Sequence, residues 1–236
     1  MPAFFVTATG TDIGKTFVGS CLLRHWRAAG VPADAFKPLV SGIDPADPAG
    51  SDPAVLLEAL GRDPSSQADL DSMSPWRFAA PLAPNMAARA EGRQVDYPAV
   101  LAACRRRLAR TDGMLLVEGV GGVMAPVDDG RTVLDWMGDL GLPALLVAGT
   151  YLGTISHILT AHAVLAGRGL RVAALVLSET PGTTPGATVP VDATLAALAP
   201  FLPDVPAVAL PRLAAGQDGA DHPAIRRLAG LLAAGA

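Results

Sequence analysis

Lysine is almost missing from this chain. Of its 18 basic residues only Lys15 and Lys37 are lysines; the others are arginines. A sequence that otherwise uses arginine then has two places suited to a compact ammonium rather than a planar guanidinium fork. Cysteine is equally scarce. Cys21 and Cys104 cannot build a disulfide framework and lack metal-ligand spacing, so buried free thiols in a reducing cytoplasm are expected. There is no basic excess: the net charge of -4 removes the basic face that general nucleic-acid binding needs. With 50% hydrophobic and 17% charged residues, disorder is excluded and a sizeable core is implied. The start, MPAFFVTATG, has neither the basic segment nor the long apolar run of an export signal. The uncharged stretch 140–167 is broken by Pro143, Gly149, Gly153 and His157. It reads as a buried strand, a loop and a helix, not as the roughly 20 apolar residues of a membrane span.

Short apolar runs alternate with helical patterns. Residues 4–8, 33–36, 114–117, 144–148 and 172–177 read as strands, and 205–210 as a last strand near an edge because of Pro206. Helices are expected over 15–29, 53–60, within 89–110, and in the tail. Arg105, Arg106 and Arg107 are placed on a solvated face. Residues 42–53 and 180–190, rich in Pro, Gly, Thr or Asp, read as loops, and Asp128-Asp129-Gly130 as a turn. Apolar strands separated by helices indicate an α/β fold with a mostly parallel β-sheet flanked by helices. No linker divides residues 1–236, so one domain is expected.

The strongest local signal is TGTDIGKT at residues 9–16, between a predicted strand and a predicted helix. That is the setting of a phosphate-binding loop (P-loop). Backbone N–H groups at the helix start supply positive partial charge. Lys15 can reach the β- and γ-phosphates, and Thr16 can ligate Mg²⁺. Glu118 ends an apolar strand and is followed by Gly119, Gly121 and Gly122. A carboxylate at the carboxyl end of a parallel strand faces the ligand crevice and could hold Mg²⁺, with the glycines allowing close backbone approach to phosphate; capping a following turn is the plainer role. Asp52 in Ser51-Asp52-Pro53 reads first as a helix N-cap with proline at N1, and second as a metal ligand. Lys37, in KPLVSG, sits at a strand end, pushed extended by Pro38, and suits an anionic group. His157 and His162 are five apart and do not share a helix face well; neither is expected to bind metal or catalyse.

Taken in order, FVTATGTDIGKT, FKPLVSG, Ser51-Asp52, FAAPLAPNMAARAEG, LLVEGVGG and LGTISH resemble the dethiobiotin synthetase family over roughly residues 4–213. The resemblance implies a P-loop NTPase-type domain. It also implies a reaction: 7,8-diaminopelargonic acid takes up CO₂ on one amine, ATP phosphorylates the carbamate, and the second amine closes the ureido ring from the carbamic–phosphoric anhydride. By that resemblance Lys15, Lys37 and Asp12 are catalytic. Nucleotide is contacted by residues 12–17 (Asp12, Ile13, Gly14, Lys15, Thr16, Phe17), by Glu118, Gly119, Val120 and Gly121, by Ser178 and Glu179, and by Pro211, Arg212 and Leu213. Thr16, Asp52 and Glu118 hold Mg²⁺. Thr11, Lys37 and Ser41 contact the diamine or its carbamate. Gly153, Thr154 and Ser156 receive the substrate carboxylate across a homodimer interface. Ala8 stands where the family loop often begins with glycine, Ser178 where some members have asparagine, and Tyr151 and Ser156 where some have lysine and asparagine.

Two other readings share this fold. One is a nucleotide-driven switch or metal-carrier ATPase; such proteins often have an extra lysine early in the loop, and residues 9–14 contain none. The other, the synthetase-like part of a cobyrinate amidotransferase, needs a glutaminase domain for which the chain is too short. A cytoplasmic, homodimeric, Mg²⁺- and ATP-dependent cyclo-ligase is the expectation.

Overall fold

The first strand decides the architecture. β1 (Ala3–Ala8, AFFVTA) is buried along its whole length, which only a central strand covered on both faces permits. The computed structural model describes residues 2–44, 48–180, 190–214 and 216–235. Most of the expected loop at 180–190 therefore lies outside the described residues. After β1 come α1 (Lys15–Ala28), β2 (Ala33–Phe36) and β3 (Leu39–Ser41). Then follow α2 (Asp52–Leu60), α3 (Gln67–Met73), β4 (Trp76–Phe78), α4 (Pro84–Ala90) and α5 (Tyr97–Arg110). The second half runs β5 (Met114–Glu118), α6 (Val133–Leu140), β6 (Ala144–Gly149), α7 (Thr154–Gly167) and β7 (Val172–Ser178). It closes with α8 (Val191–Leu198), β8 (Ala207–Leu210) and α9 (Pro223–Ala234).

Six strands form one parallel sheet in the order β2-β5-β1-β6-β7-β8, and β3 pairs β4 in a small parallel ribbon. The pleat sends alternate residues to opposite faces. Phe4, Val6 and Ala8 join α1, α2, α3 and α9 through Leu22, Leu56, Met73 and Leu228. Ala3 and Phe5 join α5, α6, α7 and α8 through Val100, Trp136, Ile158 and Leu198. Phe5 meets Trp136 edge to face, ring centroids 5.0 Å apart, a geometry worth about 0.5–1.5 kcal/mol beyond area burial.

The sheet strands and helices α1, α2 and α5 follow the sequence expectations. β8 is at the sheet edge and begins after Pro206, where proline removes no ladder hydrogen bond. The turn at 128–130 is closed by the Gly130 N–H donating to Asp128 Oδ1 at 2.8 Å. Both thiols are free and buried. Among the described residues no helix is long and apolar enough to cross a membrane.

Two expectations need correction. Arg107 is not on the solvated face with Arg105 and Arg106. It turns inward to pair with Asp34 at 2.7 Å and donates to the Ala35 carbonyl, tying α5 to β2. Asp52 is not the cap of α2: Ser51 is, its hydroxyl accepting the Ala54 N–H, while Asp52 is already helical. The serine does the capping, which leaves the neighbouring carboxylate free to turn into the cleft.

Candidate active site

Three neighbouring strands deliver the charged groups. β2, β5 and β1 are adjacent and parallel, so their carboxyl ends open on one crevice. β1 runs into the loop before α1, β2 ends one residue before Lys37, and β5 ends on Glu118.

In the loop, Asp12 has φ 57°, the only positive φ of a non-glycine residue among those described. Aspartate tolerates this region better than most, and such backbone strain, of order 1–3 kcal/mol, concentrates at functional sites. Gly14 caps α1 with φ 99°, no side chain caps the helix, and its first turn has no acidic residue. The positive end of α1 is therefore open to an anion. Ala8 needs no glycine: it closes β1 with no positive φ, and its carbonyl accepts the Val123 N–H at 3.0 Å.

Lys15 reaches back to the Gly10 carbonyl at 3.5 Å. Burial, then the charge of Lys37, lowers its pKa from the ordinary lysine value. Lys37 is only 2% exposed. Its ammonium donates to Glu118 Oε1 at 2.6 Å and pairs with Asp52 Oδ2. Burial alone would lower its pKa; the Glu118 and Asp52 carboxylates outweigh burial and hold it above the ordinary value. Burial would likewise raise the Asp52 pKa, but Lys37 prevails and lowers it. Thr16 Oγ1 donates to the same Glu118 Oε1 at 2.6 Å. Thr16, Asp52 and Glu118, expected as metal ligands, thus converge with Lys37 at one point.

That donor set suits a hard divalent cation. Two carboxylates and a hydroxyl offer oxygens only, and Glu118 Oε2 is buried without a hydrogen-bond partner. Among the described residues no group of three or more His, Cys, Asp or Glu forms a cage. Such a set is compatible with the expected Mg²⁺, which takes few protein ligands and completes its shell with water and phosphate.

The open space falls into two connected lobes. One cavity of about 380 Å³ is lined by Lys15, Thr16, Phe17, Lys37 and Asp52, with Val120 and Gly121 opposite. A second, of about 640 Å³, shares Thr11, Asp12, Ser41 and Asp52 and extends to Gly42 and the Pro81–Pro84 turn. That turn belongs to the motif FAAPLAPNMAARAEG, whose residue pattern alone assigns no role to Pro81, Leu82 or Pro84. Val40, inside the KPLVSG motif, lines both lobes. A further hollow of about 650 Å³ holds Arg89 and Arg131, which are paired with Asp129 and Asp128.

The remaining candidates are placed differently. Ile13 packs against the α1 side of the core. Gly119 is packed against the Phe5 ring rather than in the lining of the cleft, and Glu118, itself buried, reaches the site through Lys37 and Thr16. Gly122 permits a close approach, but to the loop itself: a Cβ there would meet Gly10 N at 3.2 Å. Ser178 is buried, with its hydroxyl 3.0 Å from where a Gly14 Cβ would sit, and so lies against the loop at Gly14. Glu179 accepts the Arg212 N–H at 2.9 Å, which joins the Pro211, Arg212 and Leu213 segment to the end of β7. Gly153, Thr154 and Ser156 line neither lobe of the cleft. Thr154 is buried and spends its hydroxyl on the Gly149 carbonyl at 2.6 Å, whereas Ser156 is on the surface. His157 Nδ1 is 2.9 Å from the Tyr151 hydroxyl.

A family model described as an AAA domain matches residues 2–211. A protein of Caulobacter sp. (strain K31), named ATP-dependent dethiobiotin synthetase BioD, is 50% identical over 225 residues, 94% of this chain and 94% of its own length. A protein of the same name from Phenylobacterium zucineum (strain HLK1) is 51% identical over 180 residues, 76% of each chain. Among solved structures, the cell division ATPase MinD of Pyrococcus furiosus aligns over 100% of both chains with TM-score 0.57 and 16% identity. The MinC:MinD complex of Aquifex aeolicus gives 0.58 at 12% identity, over 99% of this chain and 95% of that one. At such identities the likeness is one of fold.

Proposed function

The chain belongs to the ATP-dependent dethiobiotin synthetase family, and from that premise we propose that the cleft between β1, β2 and β5 is where it makes dethiobiotin for biotin biosynthesis. The reaction joins 7,8-diaminopelargonic acid and CO₂ at the expense of ATP. Phosphoryl transfer asks a protein chiefly for positioning and charge stabilisation, and the cleft is built of those. The N–H groups at the start of α1 and the Lys15 ammonium hold the ATP phosphates. Thr16, Asp52 and Glu118 hold Mg²⁺, which when bound supplies positive charge beside the phosphate oxygens. Lys37 carries its ammonium into the smaller lobe, beside Asp52, which borders both lobes, and so stands between phosphate and diamine. There it stabilises the carbamate and the charge that develops as the γ-phosphoryl group passes to it. Thr11 and Ser41 stand on the wider lobe, where the second amine must be held to close the ring and release phosphate.

The observation that carries this reading is Lys37 buried between Asp52 and Glu118 beside a P-loop. A lysine is not left in such a place by chance in a chain with two. Gly153 and Ser156 lie outside the cleft of their own chain, and beside them Leu152 is 91% exposed. A second copy covering Leu152 would bring those residues to its own substrate carboxylate, so the working form is taken as a homodimer. Two buried free thiols and the absence of a membrane-spanning helix among the described residues fit a cytoplasmic enzyme.

The test is phosphate release from ATP and Mg²⁺ with bicarbonate, with and without 7,8-diaminopelargonic acid, with the product's mass measured. Diamine-dependent release with dethiobiotin formed is the expected result. Release that ignores the diamine would instead favour a nucleotide-driven switch.

A further inference from the structure

We propose that Ser74 is a positioning residue for Lys37, a role that rests on the reading of Lys37 as the lysine of the reacting centre. The ladder between β2 and β5 ends at Phe36 opposite Val117. Lys37 follows, and Pro38 after it has no N–H with which to continue a strand. The backbone that carries the long Lys37 side chain therefore leaves the sheet just where its orientation matters most.

The segment after α3 holds it instead. The Lys37 N–H donates to the Met73 carbonyl at 3.2 Å, and the Trp76 N–H donates to the Pro38 carbonyl at 3.0 Å. Between them the Ser74 hydroxyl donates to the Lys37 carbonyl. Ser74 is fully buried, so no water can replace that donor. Its own backbone is fixed as well: its N–H donates to the Leu70 carbonyl at 2.8 Å, and its carbonyl accepts from Arg77 at 2.8 Å. The hydroxyl thus presents a rigid donor to the peptide plane between Lys37 and Pro38. That plane sets the direction in which the Lys37 side chain leaves the backbone. Four methylenes amplify any rotation of it, and a misplacement of about 1 Å can cost about a hundredfold in rate.

Without the hydroxyl, a buried carbonyl is left without a partner, and the peptide turns to find one. The ammonium then sits differently between Asp52 and Glu118, while the backbone of the phosphate loop, on another strand, keeps its place. Ser74 touches neither lobe of the cleft; its effect passes entirely through Lys37.

Because the chain has two lysines, ¹⁵Nζ-lysine NMR of the intact protein gives two side-chain signals, read alongside steady-state kinetics. Ser74→Ala is expected to lower kcat about tenfold, to leave KM for ATP within about twofold, and to shift the Lys37 signal more than that of Lys15, which feels Lys37 only through its charge. Ser74→Thr, which restores the donor, recovers both readouts. Ser74→Cys, of similar volume but a poorer donor, falls between, and serves if the alanine protein does not accumulate. The control is Ser66→Ala. Ser66 caps the other end of α3 by accepting the Asp69 N–H and does not touch Lys37. It should lower Tm without moving kcat or the Lys37 signal. The inference is overturned if Ser74→Ala keeps normal kcat with an unmoved Lys37 signal, or if Ser66→Ala reproduces its pattern. Lys37→Gln is run in parallel. Normal turnover there would remove the role of Lys37 itself, and Ser74's with it; lost turnover there beside an unaffected Ser74→Ala would overturn the Ser74 role alone.

Discussion

Two helices of this molecule begin in almost the same way. α1 follows β1 and α7 follows β6, the next strand in the sheet. Both are 14 residues long, both are capped by a glycine in the left-handed region, Gly14 at φ 99° and Gly153 at φ 98°, and neither has a capping side chain or an acidic first turn. By helix physics alone both are anion sites. Their surroundings differ. Around Gly14 the fold gathers Lys15, Lys37, Asp52 and Glu118, and Ser178 lies against the loop. Around Gly153 a Cβ would meet nothing within 4 Å, Leu152 projects into solvent, and the Thr154 hydroxyl is consumed within its own chain. The lesson is that an open helix start is permissive. What turns it into a reaction centre is the set of charges other strands bring to it.

The sharpest way to break that comparison is to put the same side chain at both caps. Gly14→Ala should weaken ATP binding by at least about a hundredfold, because the strained loop loses the path that aims its N–H groups. Gly153→Ala carries the same φ strain, of order 1–3 kcal/mol, and should leave ATP affinity within about twofold. Equal losses of ATP affinity by calorimetry would mean that the two ends are not distinct. Next in size, Glu118→Gln should raise the Mg²⁺ concentration for half-maximal activity by about tenfold, since the proposed site would lose one of its few protein ligands. An unchanged Mg²⁺ titration would make Glu118 a structural partner of Lys37 only.

Smaller effects sharpen the contrast. Thr154→Ala removes a buried hydrogen bond and should cost about 1 kcal/mol in denaturant unfolding, with kcat unchanged. A fall in kcat at wild-type stability would return the Thr154 side chain to the substrate. The smallest effect concerns reactivity. Burial pushes the Cys21 thiol, on α1, up to about 11 and Cys104 up to about 12. A thiol with a raised pKa stays protonated, and so unreactive, through neutral pH. At pH 8 a thiol reagent should label neither cysteine in the folded protein and both after unfolding. Rapid labelling of Cys21 in the native state would mean that α1 is less firmly seated than its packing implies.

The parallel sheet was legible because its strands are buried on both faces and therefore read as unbroken apolar runs such as MLLV and ALLVA. The P-loop was legible because all its parts are contiguous. β3, α3 and β4 were not. They are three to seven residues long, too short for either periodicity to declare itself, and the ribbon exists only because residues 39–41 find residues 76–78. Asp52 was ambiguous for a local reason. Ser51 and Asp52 are both good caps, and only the fold decides which one caps and which one turns inward. Arg107 read as one of three surface arginines because its partner, Asp34, lies on another element.

What the sequence determined alone is therefore local and repetitive: which segments are strands, where a phosphate-binding turn precedes a helix, and that two lysines are exceptional among arginines. The family motifs added names for the parts. The meeting of the parts belongs to the tertiary structure. Lys37 finds Asp52 15 residues away and Glu118 81 residues away, and Thr16 finds Glu118 across 102 residues. No spacing along a chain encodes such separations. They arise because parallel strands β2, β5 and β1 end at the same edge of one sheet, so that burial holds opposite charges close enough to fix each other's ionisation.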